Sequence, residues 1–304
     1  MLTTSPSDGL APAEPDRPHV DRHRHRRRRH RSRRWWVAAL VAAVLASVAL
    51  LAWTPAGRWL PGGGPDPADP AAMPVGDLPG WHQVFADDFD RTDLGPWWDA
   101  YDGQPAGDPR SLWQPDRVLL DGSTMTLRGE RVAGGSDAQL TTGGVSNWKV
   151  SQTYGKWEVR ARVDAGDDIT YAFLLWPSSG DWPPEIDFLE DWGGTRQAAS
   201  AFLHYKTPTG RDKLQWDVRA DFTQWHTFGV EWLPGQVTFT LDGRDWATYR
   251  GAEVPDVPMW LAIQAQAGGC ERRAASFGAA QCPIAGSPAV ADIQVDWVVV
   301  YSRS

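Results

Sequence analysis

From Trp157 to Val163 the chain alternates strictly. Trp157, Val159, Ala161 and Val163 fall on one side of an extended segment, and Glu158, Arg160 and Arg162 on the other. A period of two marks a half-buried strand, because successive side chains point to opposite faces. FLLWP (173–177), HTFGVEWL (226–233) and the closing IQVDWVVVY (293–301) read as strands too. QVTFTL and RDWATY flank Asp242-Gly243, a pair that accepts positive φ at both centres of a type I′ turn, which predicts a hairpin over residues 236–250. Beyond residue 76 no stretch offers four turns of amphipathic helix, and no internal repeat is visible. Strands separated by Gly, Pro and Asp turns over residues 76–304 predict an all-β fold of two packed antiparallel sheets, a sandwich or jelly roll.

The first part of the chain has a different pattern. Residues 1–34 end in DRHRHRRRRHRSRR, too charged to form a core. Trp35 to Trp53 follows as an uncharged run of Ala, Val and Leu with Trp at both ends. A helix over that run reaches about 28 Å at ~1.5 Å per residue, close to the hydrocarbon thickness of a bilayer. Its apolar character on every face argues against a buried globular helix. The expectation is one transmembrane anchor over 35–53, with residues 1–34 as a cytoplasmic basic tail and the body on the outer side of the membrane. Thr54-Pro55-Ala56 leaves cleavage open as an alternative, and the body is then secreted. Residues 54–75 read as a Pro/Gly spacer, and 76–304 as the working domain.

Charge divides the chain in the same way. The 304 residues carry a net charge of -8. Residues 1–34 hold ten Arg against four acidic residues, which leaves 20 basic and 34 acidic residues beyond them. An acidic body argues against nucleic acid as a partner. Nineteen Trp is the unusual feature of the composition, since indoles stack on the apolar faces of sugar rings as well as filling cores. The two Cys exclude a cysteine-rich miniprotein and a four-Cys zinc site.

Candidate chemistry concentrates in PPEIDFLEDWGG (183–194), where Glu185, Asp187 and Glu190 place three carboxylates in six positions. On a strand, Glu185 and Asp187 share a face and Glu190 points away. One β-bulge between Asp187 and Glu190 returns all three to one face, leaving Ile186 and one of Phe188 or Leu189 for the core. Two Glu four strand steps apart have Cα atoms about 13 Å apart and side chains that reach ~4 Å each, so their carboxyls can converge to roughly the 5–5.5 Å of a retaining glycosidase. Three carboxyls so close cannot all ionise cheaply; one proton is held above its ordinary pKa, which suits a general acid, while another Glu attacks. The bland alternative is a solvated acidic strand face, a pattern that arises by chance in about 5% of domains this size.

EIDFLE resembles the bulged catalytic signature of glycoside hydrolase family 16, the form typical of its laminarinases, agarases and carrageenases. The resemblance covers residues 76–304 in order. FADDFDRTDLGPWW (85–98) is similar to the family's opening strand, YGKWEVRARV (154–163) to the strand before the catalytic one, and HTFGVEWLPGQVTFTLDG (226–243) to its hairpin. PMWLAIQAQAGG (258–269) and VDWVVVY resemble its last strands. The resemblance implies a concanavalin-like jelly roll with a sugar cleft on its concave sheet. It implies Glu185 as nucleophile, Glu190 as acid/base and Asp187 as the residue that hydrogen-bonds the nucleophile, with sugar contacts from Trp176, Trp182, Trp192 and His204. Gln264, a further expected sugar contact, stands where many members have Asn, and TTGGVSNW (141–148) departs from the usual Ser-Gly-Arg pattern on a strand that helps floor the cleft. Trp176 has a core position as its alternative, and His204 a structural one.

The expected activity is retaining endo-hydrolysis of a β-linked polysaccharide, β-1,3-glucan first. A non-catalytic carbohydrate-binding jelly roll and a cell-surface transglycosylase are the alternatives; binding alone has no use for mutually repelling carboxyls. The expected partners are the polysaccharide and, through the anchor, the membrane, with the protein a monomer. No cofactor and no catalytic metal are expected. A structural calcium occurs in some family members, and no ligand cluster in this sequence identifies one. Cys270 and Cys282 are expected to form a disulfide outside the cytoplasm, closing a short loop worth ~3 kcal/mol in the chain-entropy model.

Overall fold

The computed structural model describes residues 71–106, 108, 110–131, 140–166, 168–191, 193–267 and 288–304. The expected tail (1–34), anchor (35–53) and most of the spacer lie outside the described residues, as do Trp192, Cys270 and Cys282. Among the described residues no helix is long and apolar enough to cross a membrane.

Seventeen strands are formed by the described residues. In chain order they are β1 (Trp81–Asp87), β2 (Asp99–Ala100), β3 (Ser111–Trp113), β4 (Val118–Leu120), β5 (Met125–Arg131), β6 (Leu140–Thr142), β7 (Gly144–Ser146), β8 (Gly155–Val163), β9 (Ile169–Pro177), β10 (Glu185–Asp191), β11 (Ala199–Thr207), β12 (Gly210–Val218), β13 (His226–Leu233), β14 (Gln236–Leu241), β15 (Arg244–Arg250), β16 (Met259–Ala267) and β17 (Val290–Arg303). They make a jelly-roll sandwich of two sheets. One runs β15-β14-β13-β8-β17-β5-β6-β3, with β1 on β17 and β4 on β5; the other runs β12-β11-β10-β9-β16-β7-β2. Pairing is antiparallel as expected except between β3 and β6, which run parallel.

The alternation read from the sequence is the alternation of burial. Trp157, Val159, Ala161 and Val163 of β8 lie in the core, while Arg160 and Arg162 on the outer face hold their guanidinium groups 5.5 and 5.2 Å from the Trp225 ring. Glu158, expected on the outer face, is nonetheless largely covered, because Lys156 Nζ reaches it at 3.1 Å and bridges to Glu231 at 3.0 Å. The predicted hairpin is β14–β15, with Asp242 at φ 51° and Gly243 at φ 71°. Both sheets meet in one interior: Phe173 of β9 packs on Phe228 of β13 with ring centroids 5.3 Å apart.

Among the described residues the folded unit already includes Ala71 to Val75, the end of the stretch expected to be spacer. Trp297 Nε1 donates to the Ala71 carbonyl at 3.1 Å, Gln83 Nε2 donates to the Pro74 carbonyl at 2.9 Å, and Met73 packs on Trp81 and Trp297. These contacts tie residues 71–75 to β1 and β17.

Candidate active site

The strand that carries the three carboxylates lies inside the seven-stranded sheet, with β11 on one side and β9 on the other. Both ladders slip at the expected place. Against β11, Asp187 faces Phe202 and Glu190 faces Ser200; against β9, Asp187 faces Leu174 and Leu189 faces Phe173. Phe188 is therefore the extra residue in the β9 ladder, and Glu190 returns to the face of Glu185 and Asp187. All three line one cleft of about 1060 Å³. The core gains more than expected. Ile186, Phe188 and Leu189 are all buried in it, so the bulge puts both candidate side chains, not one, on the inner face.

Immediately before β10 the chain passes Trp182-Pro183 and Pro183-Pro184, both cis. Trp182, three residues before Glu185, donates its indole N–H to Glu185 Oε2 at 2.5 Å. Opposite Glu185 on β11 stands His204, whose Nε2 lies 3.1 Å from Asp187 Oδ2. Its ring also approaches that of Trp182, with centroids 5.6 Å apart. Glu185 and Asp187 are 8% and 4% exposed, which decides their electrostatics. Burial pushes the Glu185 carboxyl well above the usual range, and the neighbouring Asp187 and Glu190 charges add to this; His204 and the Trp182 hydrogen bond oppose it. Burial likewise raises Asp187, helped by Glu190 and opposed by its hydrogen bond with Glu185 and by Lys213. The imidazole of His204 is lowered, chiefly by burial. A pair so placed shares a proton instead of holding two charges.

Glu185, Asp187 and His204 also bring possible metal-ligand atoms within 4.8 Å of one another. Those groups are bonded to one another and to Trp182, an arrangement that suits proton sharing.

Trp176, Trp182, His204 and Gln264, all expected as sugar contacts, line the cleft; Trp192 lies outside the described residues. Trp176 is half-buried at the cleft surface, not in the core. It stands opposite Trp260 on β16, and together with Tyr101 the two rings border a floor of Ala172, Leu174 and Ala262. Tyr101, Trp113, Trp260 and Gln266 were missed by sequence reasoning. For Trp260 and Gln266 the signal was available: Trp260, Ala262, Gln264 and Gln266 alternate along one strand. Tyr101 and Trp113, with ring centroids 4.7 Å apart, come from isolated positions that no periodicity marks. The departure in TTGGVSNW acquires a local meaning here. A Cβ on Gly144 would lie 2.6 Å from Tyr101 Cδ2, so the missing side chain is what lets this ring lie against β7.

Comparison with known proteins agrees with this geometry. Residues 108–298 match the family model described as glycosyl hydrolases family 16. Endo-1,3-1,4-beta-glycanase ExsH of Rhizobium meliloti (strain 1021) is 29% identical over 155 residues, which cover 50% of this chain and 31% of that protein. A beta-glucanase of Rhodothermus marinus is 26% identical over 200 residues, covering 54% of this chain and 64% of the relative. The chain thus spans about a third of ExsH and just under two thirds of the second protein. Among solved structures, the catalytic domain of an endo-1,3-beta-glucanase (laminarinase) from Thermotoga petrophila RKU-1 superposes with a TM-score of 0.62 at 20% identity, covering 76% of this chain and 100% of that one.

Proposed function

Because this chain belongs to glycosyl hydrolases family 16, we propose that it is a retaining, endo-acting glycosidase that cuts a β-linked glucan, with β-1,3-glucan as the first substrate. One observation carries the reading: Glu185 and Glu190 face the same cleft across a bulge, with Asp187 between them.

In the first step Glu190 gives its proton to the glycosidic oxygen as that bond breaks, and a Glu185 oxygen attacks the anomeric carbon to form a glycosyl ester. In the second, Glu190 takes a proton from water, the water oxygen attacks the same carbon, and the ester bond to Glu185 breaks, so the configuration is retained. Glu185 has to be anionic for the first step although burial opposes its charge. The Trp182 N–H stabilises that charge on one oxygen. Asp187 holds the shared proton towards Glu185, and neutral His204 donates its Nε2–H to Asp187.

Endo action is supported by the position of the catalytic strand within its sheet. β12 and β11 extend the cleft on one side of β10, and β9 and β16 on the other. Four strand spacings of ~4.8 Å make about 19 Å of floor, room for several sugar rings across the scissile bond. The choice of β-1,3-glucan rests on the bulged signature, with the names of the relatives as support. Digestion of laminarin, lichenan and agarose, with product sizes and the anomer first released read by NMR, tests the proposal. Internal cuts with β product are expected; α product or release of single sugars from an end overturns the mechanism or the mode.

For localisation we keep the reading of the N-terminal segment as an anchor that leaves the acidic, Trp-rich domain outside the membrane, with Cys270 and Cys282 joined in that oxidising setting. A phosphatase fused after Ser304 should be active only outside. Cytoplasmic fluorescence from a reporter at the same place overturns the topology, and recovery of both thiols as free alkylated cysteines overturns the disulfide.

A further inference from the structure

One wall of the cleft is an edge strand whose chemistry the hydrolytic steps leave unused. β12 alternates Leu214, Trp216 and Val218 towards the core with Arg211 and Lys213 towards the cleft, where both line the same space as Glu185, Asp187 and Glu190. The Arg211 guanidinium lies over the Trp182 ring, 4.5 Å from its centroid, and the Lys213 ammonium lies 4.2 Å from the Phe202 centroid. Both cations thus rest on rings of the catalytic neighbourhood. Across the ladder, Lys213 faces His204 and Arg211 faces Lys206. Like charges directly opposite each other on neighbouring strands are unfavourable, so the Arg211–Lys206 pair works against the sheet that holds it. No salt bridge to a carboxylate offsets it: among the described residues Lys206, Arg211 and Lys213 make none, in a body with 34 acidic against 20 basic residues beyond position 34.

We propose that Arg211, Lys213 and Lys206 form a subsite for an anionic substituent, a carboxylate or a sulfate, on the polysaccharide, so that the substrate is an acidic β-linked glycan. The proposal deepens the glycosidase reading and rests on it for the reaction. The patch is centred about two strand spacings, ~10 Å, from the catalytic strand, which places the anion on a sugar about two residues from the scissile bond. An arginine fork binds carboxylate or sulfate through paired N–H groups, and lysine adds a mobile point charge. The cations also offset the repulsion that three clustered carboxyls exert on an approaching anion.

The test uses the full chain with three polymers of one backbone: laminarin, laminarin carrying a fraction of C6 carboxylates, and sulfated laminarin. At low salt one of the anionic polymers is expected to show kcat/KM roughly 10-fold above the neutral one, about one ion-assisted contact. The advantage should fade near 1 M salt, where the Debye length is about 3 Å. The polymer that shows it separates carboxylate from sulfate recognition. Arg211→Gln combined with Lys213→Gln should abolish the ratio. In parallel, affinity electrophoresis of Glu185→Gln reads binding without turnover, and the same preference is expected. If none of the polymers is cut but the anionic one is still bound more tightly by Glu185→Gln, the glycosidase reading fails and the subsite stands. Equal or weaker use of both anionic polymers, in rate and in binding, overturns the subsite and leaves the glucanase. It is also overturned if the double variant lowers all three polymers by the same factor, which makes the cations plain counter-charges to the catalytic carboxyls.

Discussion

The indole N–H of Trp182 meets Oε2 of Glu185 at 2.5 Å, so a residue that borders the cleft also stabilises the anionic form of the carboxylate proposed to attack. It works against the burial and the Asp187 and Glu190 charges that raise Glu185. Two consequences follow for the pH dependence. In the native enzyme, protonating Glu185 stops attack, so kcat/KM should fall on acidification with an apparent pKa above the ~4.3 of a free glutamate. In Trp182→Phe the ring remains while the donor is lost, so the acid limb should move to higher pH and kcat should fall about 10-fold or more, the worth of a hydrogen bond to a charged group. A raised KM with an unchanged pH profile would mean that Trp182 is a sugar platform and nothing else.

Roles within the carboxylate set separate under chemical rescue. Glu185→Ala should lose all hydrolysis, and azide should restore turnover with product of inverted configuration. Glu190→Ala should still form the glycosyl-enzyme from substrates with good leaving groups, and azide should then give retained product. NMR of the glycosyl azides decides between them; the reverse pattern exchanges nucleophile and acid.

Asp187→Asn should lower activity without erasing it and should stabilise the fold at neutral pH. Asp187 is held well above its ordinary pKa by burial. Between the unfolded and folded values the native state binds the extra proton, so stability is full below about pH 4 and is lost as pH rises through the folded value. The amide removes that loss. Its Tm should exceed the native Tm at pH 7, by roughly 2–4 °C per ~1 kcal/mol relieved, and the difference should vanish near pH 4. A Tm gain that is the same at both pH values contradicts the assigned cause.

Arg196 has the opposite effect. It is wholly buried, paired with Asp191 at the end of β10, and donates to the carbonyls of Asp164 at 3.0 Å and Ile169 at 2.9 Å. Arg196→Met leaves the Asp191 charge buried without its guanidinium partner and should cost about 3–5 kcal/mol. Urea denaturation should show it, and adding Asp191→Leu should recover most of the loss. A single variant within about 1 kcal/mol of native would mean that the pair does not hold this end of the strand.

What could be read from the sequence was local along the chain. A period of two at Trp157–Val163, the Asp242-Gly243 turn and the bulged spacing of Glu185, Asp187 and Glu190 depend on near neighbours, so the residues alone carried the strands, the hairpin and the shared face. The spacing required one odd residue but could not say which of Phe188 and Leu189 the core would take; the ladders make Phe188 the extra residue against β9, and the core takes both. Tertiary structure decided the rest of the cleft, because strand order across the sheet is not chain order. β16 lies against β9 and β7, which sets Trp260 beside Trp176 and Gln264 beside Gly144 across gaps of 84 and 120 residues in the numbering. The same holds for Arg196, whose guanidinium is satisfied by carbonyls about 30 residues upstream that only folding brings within reach, and for Arg211 over Trp182. Periodicity reports which face a side chain takes, whereas its partner across the sheet depends on a pairing between distant segments that no local pattern encodes.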